Sequence, residues 1–313
     1  MPLVKYGTEQ ANKLKKPLFR FAPSPNGPLH LGHAYSALLN EKLAKAHNGS
    51  LLLRIEDIDK ARSSKTHIAA IHRDLHWLGL SFKQPVRYQS AHIDEYKPYI
   101  QQLKAAGLLY PCFATRGEIR AAPNNGITDP DGAPLYPGLY KNLPKAEQTT
   151  RIENGEPYAL RLDMEQAINQ AKALSNGGLT SSEIGEAGQV TEKPITPERW
   201  GDVIIARKDI ETSYHLSVTV DDHLQNITHI VRGRDLEAST DIHRILQIIL
   251  GFEEPLYHHH ELILLEKEKL SKSKKHMSLF ELRSTGVTAQ EIRNAFQKGA
   301  GALNALMSHH LKQ

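Results

Sequence analysis

The sequence lacks the features of two large classes of protein, the disulfide-linked and the membrane-spanning. Only Cys112 of the 313 residues is a cysteine, which excludes an intrachain disulfide framework and a zinc site built on two or four cysteines. No apolar run approaches the roughly 18 residues of a membrane helix. The N-terminus contains lysines but no apolar segment typical of a secretory signal. We therefore expect a cytoplasmic protein with no membrane contact.

A strong excess of charge of one sign is also absent. Lys and Arg number 39 and Asp and Glu number 35, which gives a net charge of +4. So small an excess is compatible with a polyanionic partner but does not by itself indicate one. The length suggests about two structural units.

The first hundred residues alternate between apolar runs and helical patterns. Residues 18–22 predict a strand that Pro23 ends, residues 29–47 a helix, and residues 51–55 a second buried strand. Helical patterns at 65–78 and 92–106 follow, each closed by a glycine. Strand, turn, helix and strand at this spacing predict a parallel α/β sheet.

After residue 110 the chain is often broken by Pro, Gly, Asn and Asp, which predicts an inserted α+β subdomain with long loops. Residues 201–207 and 215–220 then show strand-type patterns, and residues 241–250 a helical one. We therefore divide the chain into five parts. They are a polar N-terminal extension (1–16), the first half of the catalytic domain (17–109), the inserted subdomain (110–200), the second half of the catalytic domain (201–250), and a lysine-loop and helical C-terminal segment (251–313).

Two strings carry residues suited to phosphate chemistry. Residues 20–33, RFAPSPNGPLHLGH, lie where the first strand turns into a helix, whose N-terminus attracts phosphate. His30 and His33 share a helical face, and Gly32 allows a flat ring or phosphate to approach the backbone. Taken alone, two such histidines are more typical of a protein surface or of an accidental metal pair.

The second string is KLSKS at residues 269–273, within a run of lysines. Taken alone, such a run is typical of a solvated loop. The alternative is a loop whose lysines, above all Lys272, neutralise charge on a triphosphate during reaction.

Together these two strings resemble the two signatures of class I aminoacyl-tRNA synthetases. The whole of residues 20–33 resembles the glutamate-specific branch, as do LLLRIEDID (51–59), YHLSVTVDDH (214–223) and ITHIVRGRDL (227–236). The resemblance implies a Rossmann-like parallel sheet split by the inserted subdomain and followed by a short helical C-terminal segment.

The resemblance also suggests a particular member of this branch. Only 40 residues follow Ser273, too few for the helical anticodon-binding domain of a glutamyl-tRNA synthetase. A catalytic core of this kind resembles the glutamyl-queuosine tRNA(Asp) synthetases. Such ligases activate glutamate with ATP without tRNA, and then esterify queuosine at the wobble position of tRNA(Asp). We expect a monomer.

The resemblance implies a set of site residues. Those for glutamate are Arg20, Ala22, Ser24, Glu56, Tyr214 and Arg232. Glu56 and Ser24 would hold the α-ammonium, Arg20 and Tyr214 the side-chain carboxylate, and Arg232 the α-carboxylate. The two arginines could exchange roles. Glu56 could instead cap a helix, and either arginine could form an ordinary ion pair.

ATP would bind at the carboxyl ends of the strands. The residues expected to contact it are His30, Gly32, His33, Lys269 and Lys272. Of these, His30, His33 and Lys272 would be catalytic, through alignment and charge stabilisation. Mg²⁺ would accompany ATP, held mainly by phosphates and water.

The sequence departs from the family's pattern at the residues that usually bind zinc. The family's insertion usually binds a structural zinc through Cys-x-Cys and a later Tyr-x₃-Cys, whereas the matching positions here are Cys112, Ala114, Tyr136 and Tyr140. One thiolate and two phenols are a poor zinc site, so we expect no structural zinc. The run at 258–260, three histidines, could replace the lost ligands, although such runs are usually solvated.

Two other functions remain open. One is a truncated glutamyl-tRNA synthetase that charges tRNA(Glu) together with a partner protein, which the length of the C-terminal segment disfavours. The other is a non-catalytic paralogue that binds RNA. An inactive relative would be free to lose the site residues, so their presence argues against that function; they are His30, His33, Glu56, Arg232 and Lys272.

Overall fold

The computed structural model describes most of the chain. The described residues are 16–123, 126–175, 178–185, 188–207, 209–265, 268–269 and 277–310. Apart from Lys16, the extension predicted at 1–16 lies outside them. No helix in these ranges combines the length and the apolar character needed to cross a bilayer.

The strands form one large sheet and two small ones. They are β1 (Leu18–Phe21), β2 (Ser50–Ile55), β3 (Lys83–Tyr88), β4 (Leu109–Cys112), β5 (Ala159–Leu162), β6 (Thr180–Ile184), β7 (Val190–Pro194), β8 (Ile204–Arg207), β9 (His229–Gly233), β10 (Leu256–His260), β11 (Leu264–Leu265) and β12 (Glu268–Lys269). The seven-stranded sheet has the order β3-β2-β1-β9-β10-β6-β7. Its neighbours are parallel except for β6 and β7. The small sheets, β4-β5-β8 and β11-β12, are antiparallel.

Helices connect these strands and follow them at the C-terminal end. They are α1 (Leu31–Ala46), α2 (Lys65–Trp77), α3 (Lys97–Ala105), α4 (Arg116–Ala121), α5 (Lys145–Glu153), α6 (Met164–Leu174), α7 (Tyr214–Leu224), α8 (Thr240–Leu250), α9 (Leu279–Ser284), α10 (Ala289–Lys298) and α11 (Ala300–His310). The predicted fold class, a parallel α/β sheet followed by short C-terminal helices, is confirmed.

The strand–helix–strand unit at the start of the chain forms as the sequence predicts. β1 and β2 pair in parallel, with Phe19 opposite Leu51, and α1 crosses between them. Helix α1 ends at Ala46, and Asn48 then adopts a positive φ of 51°. Asparagine tolerates this left-handed conformation, which lets the chain leave the helix.

The prediction of a strand at residues 215–220 is wrong, because these residues lie within helix α7. The β-branched run VTV favours a strand by propensity, but burial on several sides overrides it, since Leu216, Val218 and Val220 are all buried. Ser213 starts the helix by accepting a hydrogen bond from the backbone N–H of Leu216.

Two of the three histidines at 258–260 are buried rather than solvated. They belong to β10, which lies between β9 and β6 in the large sheet, and His259 and His260 are buried. Parallel strands covered on both faces bury even polar side chains when these find partners.

The inserted part of the chain contributes to two sheets. Strands β4 and β5 pair with β8 in the small sheet, whereas β6 and β7 extend the large one. The division of the chain at residues 110 and 200 stays a prediction.

Two buried apolar clusters hold these layers together. One joins β1 and β2 to α1, α2, α9 and α10, and the other joins α3, α6, α7 and α8 to β8. Because β1, β2, β9 and β10 are parallel, their carboxyl ends meet at one edge. Open α/β sheets bind their ligands at such an edge.

Candidate functional site

A cavity of about 590 Å³ lies at this edge of the large sheet. Nine of the predicted site residues line it, six expected for glutamate and three for ATP. They are Arg20, Ala22, Ser24, Glu56, Tyr214, Arg232, His30, Gly32 and His33. The tertiary structure thus brings together residues from β1, the first helix turn, the end of β2, α7 and β9.

Arg20 and Glu56 belong to one buried network of charges. Arg20 Nε donates to Asp222 Oδ1 at 3.1 Å, and Arg54 Nη1 donates to the same oxygen at 2.7 Å. Arg54 Nη2 also donates to Glu56 Oε1 at 3.2 Å. Asp222 therefore fixes Arg20 directly and, through Arg54, also fixes Glu56. Arg20 and Glu56 are both residues that the sequence predicts at the site.

Arg54 is the centre of this network. Its side chain is fully buried and also lies 3.8 Å from Asp221 Oδ2. Asp221 in turn accepts hydrogen bonds from Arg87 Nε at 2.8 Å and from Gln89 Nε2 at 2.8 Å. Such a buried cation is tolerated only because several acids surround it.

Sequence reasoning missed Arg54, Asp221 and Asp222. A signal was present, because Arg54 interrupts the apolar run LLLRI and a charge in a buried strand needs partners. The partners could not be identified, because Arg54 and Asp222 are separated by 168 positions.

Burial shifts the acid–base behaviour of Glu56. Removal from water raises the pKa of the Glu56 carboxyl, although Arg54 and Arg20 oppose the shift. The same two arginines hold the pKa of Asp222 below its ordinary value despite its burial. Asp222 is thus the permanent counter-charge of the two arginines.

Arg232 has a different environment, with neutral partners. It is 5% exposed; Nη2 donates to Thr240 Oγ1 at 2.7 Å, Nη1 to His243 Nδ1 at 3.2 Å, and Nε to His259 Nε2 at 3.4 Å. Its guanidinium also lies 5.4 Å from the centre of the Tyr257 ring. Within the described ranges it forms no ion pair with a carboxylate.

Tyr214, the first residue of α7, faces the same cavity. Burial raises the pKa of Tyr214 to about 12, with Arg232 opposing the shift. The phenol is therefore protonated at neutral pH and can donate a hydrogen bond to an anion.

His30 and His33 form a reciprocal cap at the start of α1. His30 Nδ1 accepts from the backbone N–H of Gly32 at 3.1 Å, and His33 Nδ1 accepts from the backbone N–H of His30 at 3.1 Å. An accepting Nδ1 leaves the proton of a neutral imidazole on Nε2. Both rings therefore carry an Nε2–H donor beside a helix N-terminus, a combination suited to phosphate.

Of the two lysines predicted to contact ATP, only Lys269 lies within the described residues. Lys269 lies on β12, which pairs with β11. Lys272, the lysine expected to act on the triphosphate, lies outside the described residues.

A second cavity, of about 790 Å³, adjoins the first, and Ser24, Glu56 and Tyr214 line both. Its other walls come from the inserted part of the chain, including Tyr136 and Trp200, and from residues 58–63 and 202–215. A molecule in this second space would reach the first cavity past Glu56 and Tyr214.

The four positions that match the family's zinc ligands lie close together in the structure. Cys112 and Tyr136 are buried in one apolar cluster against which Ala114 and Tyr140 pack. Cys112 Sγ donates to the Tyr136 hydroxyl at 3.2 Å, and that hydroxyl accepts from the backbone N–H of Tyr140 at 3.0 Å. One thiol and two phenols do not form the donor set of a structural zinc.

Comparison with known proteins agrees with this geometry. Residues 18–300 match the family model described as tRNA synthetases class I (E and Q), catalytic domain. The chain is 39% identical to the Glutamyl-Q tRNA(Asp) synthetase of Rhodobacter capsulatus over 280 residues, covering 88% of this chain and 97% of that protein.

Longer relatives match as well. The Glutamate–tRNA ligase 2 of Syntrophus aciditrophicus is 34% identical over 289 residues, and the match covers 89% of this chain and 56% of the ligase. The crystal structure of the glutamate-tRNA synthetase from Elizabethkingia anophelis superposes with a TM-score of 0.66 at 27% identity, covering 83% of this chain and 53% of that one. The chain thus spans about half the length of these longer relatives.

Proposed function

The chain belongs to the class I tRNA synthetases of the glutamate and glutamine type, and from that premise we propose that it catalyses two successive reactions. In the first, glutamate and ATP form glutamyl-adenylate without tRNA. In the second, the glutamate is transferred to queuosine at the wobble position of tRNA(Asp). The observation that carries the choice of glutamate is the buried cation Arg232, whose partners are neutral, in the same cavity as Glu56 and Arg20.

The charges of the cavity complement those of glutamate. The substrate has two carboxylates and one ammonium, and the cavity is lined by two arginines and by two carboxylates, Glu56 and Asp235. Of the two carboxylates, Glu56 belongs to the charge network that contains Arg20. Ser24 adds a hydroxyl beside Glu56. The proposed ammonium site is therefore Glu56 with Ser24.

Of the two assignments that the sequence leaves open for the arginines, we favour the exchanged one. The α-ammonium and the α-carboxylate of an amino acid are attached to one carbon and so bind close together. Arg20 is near enough to Glu56 to oppose the rise in the pKa of that carboxyl and precedes the turn into α1, so it suits the α-carboxylate. Arg232 and Tyr214 are then left for the side-chain carboxylate.

The first reaction needs alignment and charge stabilisation more than a nucleophilic side chain. An oxygen of the α-carboxylate forms a bond to the α-phosphorus of ATP, and the bond from that phosphorus to pyrophosphate breaks. The Nε2–H groups of His30 and His33 and the N-terminus of α1 would stabilise the phosphate charge. Lys269 and Lys272 are proposed to neutralise the triphosphate. Mg²⁺, when bound with ATP, supplies further positive charge.

The second reaction would use the larger cavity. A hydroxyl of the queuosine cyclopentenediol attacks the carbonyl carbon of the adenylate, AMP leaves with the bonding electrons, and the hydroxyl proton passes to the departing phosphate or to water. Glu56 and Tyr214 line both cavities, so the modified nucleoside could approach the adenylate from the second one. The choice of tRNA(Asp) rests on the similarity to a Glutamyl-Q tRNA(Asp) synthetase along 97% of that protein.

The experiment measures exchange between pyrophosphate and ATP with the purified protein and no tRNA. We expect exchange with glutamate and little with aspartate, because shortening the side chain by one methylene moves the carboxylate away from Arg232. Exchange that strictly requires tRNA, or equal exchange with aspartate, would contradict the proposal.

The second step is tested with labelled glutamate. We expect label to enter tRNA(Asp) that contains queuosine and not the same tRNA prepared without queuosine. Periodate, which cleaves the cyclopentenediol, should abolish the reaction. Transfer to the 3′ end of tRNA(Glu) would instead favour a glutamyl-tRNA synthetase, and no activation of any amino acid would favour the non-catalytic paralogue.

A further inference from the structure

The surroundings of Arg232 differ from those of Arg20 in one respect, the charge of the partners. Arg20 is paired with Asp222 at 3.1 Å. The three hydrogen-bond acceptors around Arg232 are a hydroxyl and two imidazoles, those of Thr240, His243 and His259. A buried guanidinium is usually compensated by a carboxylate, so this arrangement requires an explanation.

The hydrogen bonds also fix the protonation of both rings. Nδ1 of His243 accepts from Arg232, so its proton is on Nε2, which lies 3.4 Å from Nδ1 of His215. Nε2 of His259 accepts from Arg232, so its proton is on Nδ1, which lies 3.4 Å from Glu183 Oε1. Neither ring can accept from Arg232 while protonated on both nitrogens.

Burial and the charge of Arg232 keep the two rings neutral. Both effects lower the pKa of His259 to about 3 and hold the pKa of His243 well below its ordinary value. Two acids lie beside His259, Glu183 and Glu237, and both are paired with Lys193. Neither forms an ion pair with Arg232 within the described ranges, so the groups that contact the guanidinium directly are all neutral.

We propose that His243 and His259 determine specificity as positioning residues: as neutral acceptors they fix the Arg232 guanidinium without cancelling its charge, so the pocket prefers a side-chain carboxylate to a side-chain amide. This inference rests on the proposed activation of glutamate and on Arg232 as the reader of its side chain. A carboxylate in place of either imidazole would hold Arg232 equally well, but the site would then gain little from a second anion.

The discrimination concerned is that between glutamate and glutamine, which have nearly the same size. Shape alone separates such a pair poorly, whereas an uncompensated buried charge separates an anion from an amide strongly. The neutrality of the acceptors is therefore a requirement of selectivity rather than of folding.

The test compares His243→Asp with His243→Asn. The two side chains have the same size, and an oxygen of either can accept from Arg232 in place of Nδ1, so they differ in charge alone. The quantity measured is kcat/KM for glutamate divided by kcat/KM for glutamine, from pyrophosphate exchange without tRNA. We expect the ratio to fall at least tenfold further in His243→Asp than in His243→Asn, through a higher KM for glutamate.

A second pair guards against failure of His243→Asp to fold. His259→Glu and His259→Gln place an oxygen near the position of Nε2 and again differ in charge alone. The melting temperatures of all four variants show which pair remains folded. We expect His259→Glu to lose selectivity relative to His259→Gln, as His243→Asp does relative to His243→Asn.

The outcomes separate this inference from the function on which it rests. Wild-type protein that activates glutamate, together with equal selectivity ratios in the acidic and amide variants, would overturn the role of the two histidines alone. Wild-type protein that activates no amino acid would overturn the proposed function and this inference with it.

Discussion

At the scale of single residues, Asp222 supports the site without being predicted to touch substrate. One of its oxygens accepts hydrogen bonds from both Arg20 and Arg54. Because both arginines are buried, removing the charge of Asp222 takes a shared anion from two cations in a region of low dielectric, although Arg54 keeps Asp221 and Glu56. Breaking a buried ion pair in this way typically costs about 3–5 kcal/mol.

We therefore expect Asp222→Asn to lower the free energy of unfolding by about 3 kcal/mol and to weaken the activation of glutamate. Asp74→Asn is the matched control. Asp74 is buried too, but its Oδ2 has no hydrogen-bond partner among the described residues, and burial raises the pKa of its carboxyl. Denaturant unfolding should place the control within about 1 kcal/mol of the wild type. Equal losses in the two variants would contradict the network.

At the scale of elements, the N-terminus of α1 combines a helix cap with a ligand site. A Cβ added at Gly32 would lie 3.0 Å from Cε1 and 3.1 Å from Nδ1 of the His30 ring. The ring would have to shift, and its hydrogen bond from the Gly32 N–H would weaken. The contact thus explains why a glycine is suitable there.

We expect Gly32→Ala to slow adenylate formation by about tenfold, equivalent to ~1.4 kcal/mol, with a higher KM for ATP. Its free energy of unfolding should change by less than about 1 kcal/mol, because alanine is the better helix former. Gly301→Ala in α11 is the control, since a Cβ there meets nothing within 4 Å. It should leave the exchange rate unchanged. Unaltered ATP kinetics in Gly32→Ala would argue against phosphate binding at α1.

At the positions where the family usually binds zinc, a short chain of hydrogen bonds through Tyr136 links Cys112 to the backbone of Tyr140. We expect the purified protein to contain no stoichiometric zinc and its melting temperature to be unaffected by chelators. Elemental analysis checks the first point and thermal unfolding the second. The double variant Ala114→Cys with Tyr140→Cys supplies two further thiolates and should acquire zinc. One zinc per wild-type chain would mean that other side chains supply ligands.

At the scale of the whole molecule, the fold keeps several histidines buried and neutral. Burial lowers the pKa of His215 and of His229 to about 4, and that of His259 to about 3. The unfolded chain binds protons at these positions near pH 6.5, whereas the folded chain does not. Stability from these groups is therefore full above pH 6.5 and is lost as the pH falls towards 4.

His229 allows this effect to be measured, because it lies outside the candidate site, stacked on Phe19. Between pH 7.5 and pH 5.0, the wild type should lose about 2 kcal/mol more stability than His229→Asn, since the variant has no imidazole to protonate. Urea unfolding at both pH values provides the comparison. A carboxyl whose pKa burial raises, such as that of Glu56, affects both proteins equally and cancels. The same loss in both proteins would show that His229 is not buried neutral.

Local sequence was enough to predict most elements but not all. The segment from β1 to β2 formed as predicted, because its apolar periodicity and its Pro and Gly breaks act over a few residues. Helix α7 was predicted as a strand, since its buried β-branched residues obscure the helical period. The histidine run at 258–260 predicts a solvated segment, because three polar residues give no hint of the partners that bury them, yet it lies in β10 with His259 and His260 buried.

The sequence alone determined which residues could form the site, because RFAPSPNGPLHLGH and the other strings are contiguous and their chemistry can be read residue by residue. Nine of those residues line one cavity. Only the tertiary structure decided how the charges pair. Arg20 and Asp222 are 202 positions apart, and Arg54 and Asp222 are 168 apart. No local pattern specifies such partners, because burial, which makes an ion pair necessary, arises only when distant segments pack together.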